Sequence, residues 1–171
     1  VKNLYIVAEK EDGIYLVDQH AAHERILYER ILDRFERHIL DVQGLLEPIV
    51  VELPAGLSDV LESQSNILIR YGFDIEYFGS NAYILRSVPM ALSGLDPTTI
   101  LISLLEKVPH GSVTGEADVE KSIALSIACH SSVRAGKKLA HDEMTNLLTE
   151  LEMTRIPGAC PHGRPTMIHI T

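Results

Sequence analysis

Apolar and polar positions alternate at both ends of the chain and recur at helical spacing between them. Residues 4–9, LYIVAE, and 14–18, IYLVD, are rich in β-branched and aromatic side chains, and the acidic turn KEDG lies between them. This pattern predicts a hairpin turning at Gly13. From His20 to about Ile39 the period changes. Ala22, Ile26, Ile31 and Phe35 recur at helical spacing with Arg and Glu between them, which predicts a helix leaving directly from a strand that ends at Asp18. Residues 43–56, QGLLEPIVVELPAG, are expected to be a break and then a short strand, with Pro48 and Pro54 as punctuation.

Residues 57–71 read as a helix capped by Gly72. Residues 73–89, FDIEYFGSNAYILRSVP, form a second hairpin pattern turning at GSN. Asp96 and Pro97 supply a helix cap and first turn, with the helix continuing to Val108. A turn-rich loop, PHGSVTGEA, precedes an apolar helix over about 118–135, and another helix runs over about 141–152. CPHGRPTMIHIT closes the chain as a turn and a strand. The middle stretch has its own β-α-β-β-α content. The expectation is therefore an α+β fold in which residues 1–43 and 117–171 form a discontinuous subdomain and 44–116 an inserted one.

Composition narrows the function. The chain has 171 residues, 46% hydrophobic and 23% charged, which is ordinary for a globular protein. No apolar run reaches the roughly 18 residues needed to span a bilayer. The chain begins VKNLYIVAEK, without an initiator Met or signal peptide, and is expected to be part of a longer protein from a reducing, cytoplasmic compartment. The net charge of −9 disfavours tight, autonomous binding to a phosphate backbone.

Candidate chemistry gathers in three places. His20 and Glu24 lie four apart and share a helix face, with Asp18 just before them. Such a pair holds a metal easily, although an i, i+4 His/Glu pair is more often a solvated surface pair. Cys160 and His162 alternate in a segment that Pro161 should keep extended, so both point the same way as a clamp suited to zinc. Cys129 lies in an apolar helix, where a small core residue is the plainer reading. Two cysteines also permit a single disulfide. Together the donors suit zinc, with oxygen ligands left for Mn or Mg, and a two-metal arrangement would serve phosphodiester cleavage. HAAHE fits neither the metalloprotease motifs nor the deaminase signature.

These motifs carry a resemblance. DQHAAHERILYE has the form D-Q-H-A-x-x-E-x-x-x-x-E, the endonuclease motif of the MutL family of DNA mismatch-repair proteins. ACHSSVR is similar to the family's A-C-R segment, and CPHGRP is identical to another of its motifs. The order also agrees, and the likeness extends over essentially the whole chain. It implies a C-terminal domain that homodimerises and nicks duplex DNA, which it binds only weakly. Asp18, His20, Glu24 and Glu29 match the nuclease motif, and Cys129, Cys160 and His162 complete the metal ligands. Zinc is implied as regulatory or structural, and Mn or Mg as catalytic. ATP and a mismatch-recognition protein are expected to act only through parts of the full-length protein outside this chain.

His130 stands where the family more often has Arg or Lys, and His23 falls at a variable position. QGLLEP resembles the short sliding-clamp-binding motif of bacterial relatives, with Gln43 for a pocket rim, Leu45 and Leu46 for an apolar groove and Pro48 keeping the segment extended. The plainer alternative is a linker with inward leucines. Arg164 is a possible phosphate contact or a turn-stabilising residue. A competing reading of the whole is a zinc-stabilised dimerisation module without nuclease activity.

Overall fold

Alternation along the first two strands creates a sheet with one covered face and one bare face. The computed structural model describes residues 3–109, 115–132 and 137–171. Strands β1 (Tyr5–Lys10) and β2 (Gly13–Asp18) form the expected hairpin, and β6 (Met167–Ile170) pairs antiparallel with β2. Gly13 adopts φ 142°, and a Cβ there would collide with the Ile170 carbonyl oxygen, so the turn requires glycine. Ile6, Val17 and Met167 share a register row and face inward. They pack with Ala22 and Ile26 of α1 (Gln19–Glu36) and with Leu147 and Leu151 of α5 (His141–Glu152). The Glu143 carboxylate accepts the Ala140 N–H at 2.7 Å and fixes the start of α5.

The second sheet has the order β3-β5-β4, all antiparallel, from β3 (Val42–Glu52), β4 (Asp74–Gly79) and β5 (Ala82–Pro89). Helices α2 (Leu57–Arg70), α3 (Pro97–Lys107) and α4 (Glu116–Ser131) accompany it. Val51, Tyr83, Leu85, Leu68 and Leu101 are among its buried apolar side chains. Asp96 caps α3 as expected, its Oδ2 accepting the Thr99 N–H at 2.9 Å. The architecture is α+β, with five α-helices and two three-stranded antiparallel sheets among the described residues.

Two compact units divide the chain, residues 1–30 with 131–171, and residues 31–130. The expected boundaries at 43/44 and 116/117 fall inside the second unit. Packing explains this: Phe35 stacks on Tyr71 with ring centroids 4.1 Å apart, and Arg70 pairs with Glu116 and Glu120 at 3.0 and 3.2 Å. The end of α1 and most of α4 are thereby tied to α2.

β3 is longer than the short strand expected. Gln43 and Gly44 pair with Val88 and Ser87, and pairing resumes at Ile49 with Leu85. Four residues, 45–48, therefore face one, Arg86, and bulge from the ladder. Pro48 reads as a break in sequence, and the bulge accommodates it within one strand. Helix α4 ends at Ser131, and its expected continuation over 133–135 lies outside the described residues, as does 110–114 of the turn-rich loop.

Candidate metal centre

Strand β2 delivers Asp18 to the start of α1, where its Oδ1 accepts the N–H groups of His20 and Ala21 at 2.9 and 3.0 Å. This cap orients the first turn of the helix. One turn on, Glu24 is 1% exposed. Its Oε1 lies 3.2 Å from His20 Nε2, and its Oε2 lies 3.4 Å from His162 Nδ1. His20 Nδ1 is 3.4 Å from the Ser132 hydroxyl.

The 160–164 turn meets this helix face. Cys160 N–H donates to the Arg164 carbonyl at 2.7 Å, and Gly163 N–H donates to the Cys160 carbonyl at 2.9 Å. Gly163 sits at φ 84°, the left-handed conformation that closes the turn. Arg25 Nε donates to the Ala159 carbonyl at 2.7 Å and ties the turn to α1. Ligand atoms of Glu24, Cys160 and His162 all lie within 4.8 Å of one another. A carboxylate, a thiol and an imidazole at that spacing fit zinc.

Of the expected ligands, the structure gathers Glu24, Cys160 and His162 into one cluster and joins His20 to it through Glu24. Asp18 is occupied by the helix cap and lines a surface groove with Tyr5, Leu16, Pro165 and Thr166. Both cysteines are thiols, not a disulfide. Cys129 stands on α4, among the residues of the second unit. Glu29 is engaged elsewhere: its carboxylate accepts the Arg155 and Ile156 N–H groups at 2.8 and 3.3 Å. No sequence signal pointed to that role, because Glu29 and its partners are remote in the chain.

Two histidines at uncertain positions acquire surroundings. His130 Nδ1 turns back to the Ser126 carbonyl at 2.7 Å on its own helix. His23 is half-buried, and burial, followed by the Arg30 charge, lowers its pKa, against the opposing pull of Glu150.

Arg164 brings a cation to the cluster. Its Nη2 lies 3.9 Å from Glu24 Oε2 while the side chain stays 67% exposed. A hydrogen bond with the Cys160 sulfur, then its charge, hold the Arg164 guanidinium above its ordinary value, with smaller pulls from Glu24 and Asp18.

A family model described as the MutL C terminal dimerisation domain matches residues 1–139. The chain belongs to this family. DNA mismatch repair protein MutL of Pelotomaculum thermopropionicum is 43% identical over 169 residues, covering 98% of this chain and 28% of that protein. MutL of Thermoanaerobacter pseudethanolicus is 36% identical over 167 residues, covering 98% of this chain and 27% of that protein. MutL of Bradyrhizobium sp. strain BTAi1 is 41% identical over 170 residues, covering 97% and 27%. The MutL-family chain thus spans little more than a quarter of the curated relatives it matches. No helix among its described residues is long and apolar enough to cross a membrane.

Proposed function

We propose that this chain is the self-associating, metal-dependent DNA-nicking domain of a mismatch-repair protein. The observation that carries the reading is the convergence of Glu24, Cys160 and His162, drawn from the first helix and the last turn. Glu24, Cys160 and His162 would hold a divalent ion, which when bound would supply the Lewis acidity that phosphodiester hydrolysis needs. The chain's own residues prepare the place. Glu24 orients the imidazoles of His20 and His162 with its two oxygens. The exposed Arg164 guanidinium offers two N–H donors to a phosphate. Asp18, at the mouth of the helix, contributes negative charge beside the cluster.

Self-association has a surface. Val7, Leu16 and Ile168 form one register row, and Ile14 pairs with Ile170 beside it. Val7, Ile14, Ile168 and Ile170 are 44–62% exposed. An apolar sheet face of this kind suits an isologous contact between two copies.

Delivery to DNA has a second surface. The bulge of β3 projects Leu46, which is 105% exposed, with Gln43 and Pro48 flanking it and Leu45 half-buried. A ring-shaped sliding clamp that takes this hook would hold an acidic domain on DNA that repels it.

One observation favours the nuclease-free alternative. The Asp18 carboxylate caps α1, so its presence is accounted for without catalysis. Asp18→Asn separates the two readings. The amide retains a capping oxygen but loses the charge, so the folded variant should still bind zinc and should no longer nick supercoiled DNA with Mn. With both forms tested in the full-length protein, undiminished nicking rejects the assigned role, and a full-length wild type that never nicks leaves the dimerisation module.

A further inference from the structure

We propose that Arg164 loosens the grip of the Glu24–Cys160–His162 cluster on a divalent ion, so that the ion exchanges. The inference rests on the metal-site reading above. Arg164 is fixed at the base of the 160–164 turn, where its own carbonyl accepts the Cys160 N–H at 2.7 Å and the neighbouring Ala159 and Pro165 bridge antiparallel. Its guanidinium is therefore held near the ligands by the same turn that presents Cys160 and His162. Nη2 sits 3.9 Å from Glu24 Oε2, the oxygen that also faces His162.

Two effects follow with opposite signs. A permanent single positive charge repels an ion of charge two placed among the same donors. The same guanidinium attracts the thiolate that a metal ligand must become, which favours loading. The ion would carry twice the charge of the thiolate, so repulsion would be the larger effect even though the guanidinium hydrogen-bonds the Cys160 sulfur. Exposure screens both, and the residual effect is modest. A ligand set formed only to staple the fold gains nothing from such a neighbour, whereas one that must exchange its ion does.

Competition against a chromophoric chelator at pH 8, with zinc alone as the probe, tests this on the chain and its variants. Removing the charge in Arg164→Gln or Arg164→Ala should tighten zinc binding by roughly two- to fivefold. Arg164→Lys, which keeps the charge, should bind like wild type. Weaker or unchanged binding in Arg164→Gln overturns the inference and makes the arginine a support for the ligands. Tight binding in Arg164→Lys overturns it too, because charge would not be the cause. Cys160→Ser is the control for the site itself. If it binds zinc as wild type does, or if wild type binds none, the metal-site reading fails and the inference with it.

Discussion

Glu24 Oε2 lies 3.4 Å from Nδ1 of His162, joining the first helix to the last turn through a carboxylate that is 1% exposed. A carboxylate so buried is costly unless it is paired or coordinated. Glu24→Gln keeps the shape and removes the charge. It should weaken zinc binding by at least the roughly 10–100-fold that loss of an outer-shell partner costs. Calorimetric titration of zinc checks this, and equal affinity in the amide would remove Glu24 from the ligand set.

Glu29 has a different task from Glu24 despite sharing the helix. It satisfies the Arg155 and Ile156 N–H groups just beyond α5. Glu29→Ala should cost about 0.5–1.5 kcal/mol of stability, the net contribution of a hydrogen bond whose donors stay open to water. Its zinc affinity should match wild type. Urea unfolding alongside zinc titration reads both quantities, and a stable variant with impaired zinc binding would restore a place at the site.

Leu46 projects from the β3 bulge and touches little of its own fold. Leu46→Ala should change stability by no more than about 0.5 kcal/mol. It should also abolish retention on an immobilised sliding clamp. A variant that unfolds easily would mean that the leucine packs inward as a linker residue.

Asp96 gives a pH dependence with a definite sign. The Thr99 hydroxyl, then the Thr99 N–H, hold its carboxyl below the ordinary 3.8. A depressed folded-state pKa contributes stability above that ordinary value and loses it as pH falls through the folded one. Asp96→Ala should cost about 1 kcal/mol at neutral pH. Asp96→Asn should flatten its share of the acid limb below about pH 4. Thermal melts of both variants across that range make the comparison, and parallel curves for wild type and Asp96→Asn would contradict it.

Local signals foretold most elements. The hairpin at Gly13, the Asp96–Pro97 helix start and the period of Ala22, Ile26, Ile31 and Phe35 are written within a few residues of where they act. The division into units was less legible, because the Phe35–Tyr71 stack depends on side chains far apart in sequence. The same holds for Glu29, whose spacing resembled a motif position while its partners lay beyond the last long helix. Cys160 and His162 were expected to face one way from an extended segment, but a turn closed by the Gly163 N–H on the Cys160 carbonyl presents them instead, and the arrival of Glu24 between His20 and His162 is a product of the fold.

The protruding stretch in β3 separates what must stay constant from what can vary. Gln43 and Gly44 hold one end of the ladder and Ile49 the other, so the four intervening residues set no register for the sheet. Their identity, and even their number, can drift without shifting Val51 or Leu85 in the core. A lineage could thus retune or discard the hook for a new partner while inheriting the rest of the scaffold untouched.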